Sequence, residues 1–63
     1  MKKIVLEKTL RKFGWYFERA GGNHDIWSNG NIKQPIPRHR EINEYTARSI
    51  IKVAAENPII HEE

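Results

Sequence analysis

Three histidines, His24, His39 and His61, are the side chains here best suited to move a proton near neutral pH. They lie 15 and 22 residues apart, which matches no compact metal-ligand spacing, and no cysteine completes a site, so neither a metal nor a cofactor is expected. Gly21-Gly22 lacks the further glycine, lysine and helix start of a phosphate-binding loop. No serine stands in a nucleophile elbow, and Glu7, Glu18 and Asp25 are scattered rather than paired. His24 is set apart by its context. It follows Gly21-Gly22-Asn23 at the start of an apolar segment, where a turn leaves a side chain accessible. There an imidazole can take the proton of a ribose 2′-hydroxyl, and attack of that oxygen on the adjoining phosphate cuts RNA without a metal. Cations must then stabilise the charge developing on the phosphate, and Lys33, Arg38 and Arg40 are the candidates. Asp25, next to His24, either tunes the imidazole or caps the turn.

Charge is compatible with the same partner, although on its own it favours a merely solvated basic face. Residues 1–40 carry nine Lys or Arg against three Asp or Glu, whereas residues 41–63 carry two against five. A basic first two-thirds suits a polyanion, although a solvated basic face needs no function. Lys8, Arg11 and Lys12 are candidates to follow a phosphate backbone, and Trp15, Phe17 and Trp27 are candidates to stack on bases. Most of these rings are expected to pack in the core instead.

A chain of 63 residues has room for a single domain spanning 1–63 and one small core, which leaves only ~3–5 kcal/mol of stability. A partner or oligomer is therefore expected. Ile4-Val5-Leu6 is far short of a signal core or a membrane span, so the expected location is the cytoplasm.

The elements that must position His24 are legible in the pattern. Leu6, Leu10 and Phe13 recur at i, i+4 and i+7, which predicts an amphipathic helix over 3–13, stopped by Gly14. Trp15 to Arg19 reads as a strand, His24 to Ser28 as a second, and Ile32 to Arg38 as a third after the Asn29-Gly30 turn signal. Pro35 and Pro37 lack donors on one side only, which makes the third strand an edge that pairs through Gln34, Ile36 and Arg38. Asn43 caps a last helix with Thr46, Ile50, Val53 and Ala54 on its apolar stripe, and Asn57-Pro58 stops it; 58–63 is expected as a loose tail. The order α-β-β-β-α predicts a two-layer α+β domain, a three-stranded antiparallel sheet with two helices on one face. It is also the order of the double-stranded-RNA-binding fold.

Leu10-Arg11-Lys12-Phe13-Gly14-Trp15, Gly21-Gly22-Asn23-His24, Ile36-Pro37-Arg38-His39, Glu41-Ile42 and Tyr45-Thr46-Ala47-Arg48-Ser49-Ile50-Ile51-Lys52 together resemble the HicA (YcfA-like) toxin family in order and spacing, from about residue 6 to 55. The resemblance implies a metal-independent mRNA endonuclease of a type II toxin–antitoxin system. It also implies a HicB-like antitoxin that covers the active histidine. The family's glycine-small-histidine motif falls on Gly22-Asn23-His24, which makes His24 the expected catalytic residue. The family more often has serine at the place of Asn23, and a histidine or bulky residue at that of Asp25. The Pro-x-His element falls on Pro37-Arg38-His39, where His39 either contacts RNA or satisfies the turn into the last helix. Two other readings are a non-catalytic RNA-binding module and a degenerate toxin that retains only antitoxin binding.

Overall fold

The leucine spacing of the first segment closes as a helix, α1, over Lys3–Lys12, with Leu6 and Leu10 fully buried on one side. The computed structural model describes residues 1–59. Gly14 follows α1 at φ +88, a conformation that costs a side chain but not glycine, and a Cβ there would lie 2.6 Å from the Ile59 Cβ. The chain turns at this point, and Trp15 enters the core before the first strand begins.

Strands β1 (Tyr16–Ala20), β2 (His24–Ser28) and β3 (Lys33–Pro37) form an antiparallel meander in the order β1-β2-β3. Trp27 and Ile36 point from the sheet towards the helices, where they pack with Leu6, Leu10 and Trp15. Burying a large apolar side chain of this kind contributes about 1.5–3 kcal/mol. The register between β1 and β2 slips between Phe17 and Arg19, so Glu18 is an extra residue that locally bends β1. In β3, Gln34 and Ile36 stand opposite Trp27 and Asp25 in the ladder, while Pro35 and Pro37 occupy the positions whose backbone faces away from β2.

The Asn29-Gly30 signal marks the second turn, but its tip falls one residue later. The Asn29 N–H donates to the Ile32 carbonyl, Gly30 takes φ +92, and the Asn29 side chain accepts from the N–H groups of Asn31 and Ile32. The asparagine therefore acts as a side-chain cap of the turn rather than as one of its two central residues.

The last helix, α2, spans Glu44–Glu56. Asn43 caps it, accepting from the Tyr45 and Thr46 N–H groups. Ala47, Ile50 and Ala54 face the core, with Ile51 and Val53 half-buried beside them. Both helices thus cover one face of the sheet, the two-layer α+β arrangement that the pattern predicts. At the end of α2, the Asn57 carbonyl accepts from Trp15 Nε1 and Asn29 Nδ2, and the Ile59 N–H donates to the Phe13 carbonyl. Of the segment expected as a loose tail, Ile59 is thus tied to the end of α1, and residues 60–63, with His61, lie outside the described residues. Among the described residues no helix is long and apolar enough to cross a membrane.

Candidate active site

His24 opens β2 directly after the Gly21-Gly22-Asn23 turn, and its side chain is exposed. The reason for glycine in this turn is a close backbone approach. The Gly21 N–H donates to the His24 carbonyl at 2.8 Å, and a Cβ on Gly21 would stand 2.9 Å from that same oxygen. Gly22 has open space around it. The steric requirement thus falls on Gly21 rather than on the glycine adjoining Asn23.

Opposite the turn, β3 ends with Pro37 paired to His24, which brings Arg38 alongside the loop. Its guanidinium spreads over four acceptors. Nε donates to Asp25 Oδ1 at 2.9 Å and Nη1 to the Gly22 carbonyl at 3.0 Å; Nη2 serves the Gly21 and His24 carbonyls. This uses the fork geometry that distinguishes arginine from lysine. Arg38, which the sequence offers as a cation for the phosphate, is therefore engaged in holding the turn that presents His24.

Asp25 completes the arrangement from the helix side. Its second oxygen accepts from Lys3 Nζ at 2.9 Å, and the same ammonium donates to Glu7 Oε2 at 2.9 Å. Successive residues of a strand point to opposite faces, so Asp25 faces α1 while His24 does not. Asp25 is not the partner of the imidazole. The hydrogen bond from Lys3, then that from Arg38, holds its carboxyl below the usual carboxylate range. Burial alone lowers the Lys3 ammonium, but its bonds to Glu7 and Asp25 outweigh that and leave it raised.

The other cations divide into engaged and available groups. Lys33 Nζ lies 2.9 Å from Glu18 across the sheet face turned away from the helices. Arg11 on α1 sits with its guanidinium 5.2 Å from the Trp27 ring centroid. Lys8 and Lys12 on α1, and His39 and Arg40 after β3, are exposed and make no ion pair among the described residues. The chain start brings Arg40 close, since the Lys3 N–H donates to the Arg40 carbonyl at 2.9 Å. A cleft of about 750 Å3 between α1 and this segment is lined by Lys2, Lys3, Arg38 and Arg40 together with Glu7 and Glu41.

Trp15 and Trp27 are each 1% exposed and so unavailable to bases, while Phe17 is 49% exposed. The indole N–H of Trp27 is buried without a partner. The pattern gave no weight to Tyr45, which projects from the first turn of α2 at 82% exposure. It lines a second groove, of about 380 Å3, between α2 and the outer side of β3, and His24 lines the same groove. Its position next to the Asn43 cap, on a helix whose inward stripe is set by Ala47 and Ile50, was the signal that could have found it. Among the described residues, no three His, Asp or Glu side chains gather as a metal-holding group.

A family model described as the HicA toxin of bacterial toxin–antitoxin systems matches residues 6–55, a span that runs from α1 to the last turn of α2. No curated protein and no solved structure matches the chain.

Proposed function

The chain belongs to the HicA toxin family of bacterial toxin–antitoxin systems, and from that premise we propose that it is an endoribonuclease that cleaves mRNA with His24 as general base. The carrying observation is the placing of His24. It is exposed at the first position of β2, and the turn before it is held by the Arg38 guanidinium on three carbonyls. Fixing the backbone on both sides of the histidine limits where the imidazole can go, and a general base works only within hydrogen-bond reach of its proton.

In this reading the neutral imidazole takes the proton of a ribose 2′-hydroxyl. The 2′-oxygen then forms a bond to the adjoining phosphorus as the bond to the 5′-oxygen breaks. The products are a 2′,3′-cyclic phosphate and a 5′-hydroxyl end, the leaving oxygen gaining a proton from solvent. No metal or cofactor enters the step. Arg40, Lys8 and Lys12 supply the positive surface for the RNA backbone, with His39 beside Arg40 offering a hydrogen bond and with Lys33 and Arg38 committed to Glu18 and to the turn. A HicB-like antitoxin that covers His24 keeps the enzyme inactive in the cytoplasm.

The test is cleavage of single-stranded RNA in EDTA by the purified chain and by His24→Ala. Cleavage by the wild type alone, ending in a 2′,3′-cyclic phosphate, is the expected result. Equal cleavage by both removes His24 from the site. No cleavage by folded wild type shifts the reading to a non-catalytic RNA-binding module or to a protein that only binds its antitoxin.

A further inference from the structure

We propose that the groove between α2 and the outer side of β3 is a nucleobase subsite, in which the Tyr45 ring stacks on a base of single-stranded RNA beside the phosphate that His24 attends. This deepens the ribonuclease reading and rests on it. A general base that takes a 2′-hydroxyl proton must touch the ribose, and the nucleobase of that ribose or of its neighbour then lies within a few ångströms of the imidazole. The groove that His24 lines has room for a planar ring, at about 380 Å3.

Its chemistry suits a base and not a phosphate. Apart from His24, the lining holds no charged side chain: prolines, Ile50 and Val53 provide apolar walls, and Tyr45, Thr46, Ser49 and Gln34 provide hydroxyl and amide groups. The cations lie elsewhere, on α1 and on the segment after β3. The groove is preformed, since Gln34 Nε2 donates to the Ile50 carbonyl at 3.2 Å and ties β3 to α2 beneath it. Asn43 Oδ1 fixes the Tyr45 N–H at 2.8 Å, so the ring projects from a rigid helix start rather than from a loop. At 82% exposure this ring contributes little to the core, which leaves its face free to stack.

A protein strand is a poorer occupant. The backbone positions of β3 that face away from β2 include Pro35 and Pro37, which have no N–H to offer an added strand.

The test uses the full chain, wild type and Tyr45→Ala, with a randomised pool of ten-nucleotide single-stranded RNAs bearing 2′-fluoro riboses. These cannot be cleaved by the proposed route, so affinity is read without turnover. Tyr45→Ala is expected to weaken binding about 5- to 100-fold, the range for loss of one stacked base, while Tyr45→Phe and Tyr45→Trp bind as the wild type does. Linear polyphosphate, a polyanion without bases, is expected to bind Tyr45→Ala and wild type equally. Unchanged RNA affinity in Tyr45→Ala, or an equal loss for polyphosphate, overturns the proposal. So does a loss of antitoxin binding with RNA binding intact, which makes the groove a protein interface, and so does failure of the wild type to bind RNA. Tyr45-dependent binding of the pool by a chain that does not cleave natural RNA sinks the ribonuclease reading alone.

Discussion

The guanidinium of Arg38 and the carboxylate of Asp25 meet at 2.9 Å, and this contact ties the residue after β3 to the second residue of β2. The same carboxylate reaches Lys3 on α1. One acidic side chain thus links the helix layer, the central strand and the chain leaving the edge strand, within one residue of His24. The turn that presents the histidine is held from outside by Arg38 and from the helix side through Asp25.

Arg38→Lys tests the outer hold. Lysine keeps the charge but cannot spread over Asp25 and three carbonyls, so the turn is expected to open more often. Arg38 is exposed, and the cost in global stability should be small, about 1 kcal/mol. The local effect is larger. Exchange of the Gly21 amide proton, which is bonded to the His24 carbonyl, should speed up while exchange in the centre of α2 follows global unfolding. Unchanged exchange at Gly21 would mean that the hairpin holds itself.

The two glycines before His24 are expected to respond differently to alanine. At Gly21 the added methyl meets the His24 carbonyl at 2.9 Å, backbone against which nothing flexible can yield. Overpacking of this kind costs about 1–3 kcal/mol. At Gly22 nothing lies within 4 Å, and alanine should be tolerated within about 0.5 kcal/mol. Chemical unfolding of the two variants measures the difference, and equal midpoints would remove the steric reason for Gly21.

Asp25 gives the fold an acid limb. Its carboxyl is held below the usual range by Lys3 first and Arg38 second, so the unfolded chain binds its proton at a higher pH than the folded one. Its contribution is therefore fully present above about pH 4, the ordinary carboxylate value, and fades as pH falls through the lower folded value. Asp25→Asn should lose about 1–2 kcal/mol at pH 7 and show a flatter stability curve at acid pH. The reading is the difference between wild-type and variant unfolding free energies from pH 7 down to acid pH; a constant difference would show that the carboxylate's charge plays no part.

Much of this arrangement is legible in the pattern of residues, and the parts that are not have a common cause. The helices follow from Leu6 and Leu10, and from Ile50 and Ala54, and β2 begins at His24 as the turn chemistry implies. The order of strands follows from Pro35 and Pro37, which can stand only on an edge. What the pattern misplaces is register. Taking Asn29-Gly30 as the two central residues of the turn would set His24 opposite Pro35. The tip lies at Gly30-Asn31, and His24 stands opposite Pro37. Such a shift by two keeps every side chain on its proper face, so the core is unaffected. It changes which residue lies beside the Gly21-Gly22-Asn23 turn, and that is why Arg38 reads from the sequence as a spare cation. Lys3 and Glu7 are a visible i, i+4 pair, but Asp25 joins them only once the sheet packs on α1. Tyr45 is hidden for a different reason, because exposure of one aromatic on an amphipathic helix depends on how α2 rotates against β3.

The division of cations into engaged and available groups makes a prediction about salt. Lys8, Lys12 and Arg40 have no ion-pair partner among the described residues, whereas Lys33 is held by Glu18 at 2.9 Å. Each available cation that touches single-stranded RNA should release counterions, so its replacement by alanine lowers the slope of log affinity against log salt by about 0.7. Lys33→Ala should change that slope much less, since its charge is already partly offset by Glu18. Removing Glu18 instead, in Glu18→Gln, frees Lys33 and should steepen the slope or leave it unchanged, but not reduce it. Binding of the 2′-fluoro RNA pool at several salt concentrations reads all four single variants and Glu18→Gln against the wild type. A slope that falls as much for Lys33→Ala as for Lys8→Ala, Lys12→Ala or Arg40→Ala would place the RNA backbone on the sheet face that carries Glu18 and Lys33, away from α1.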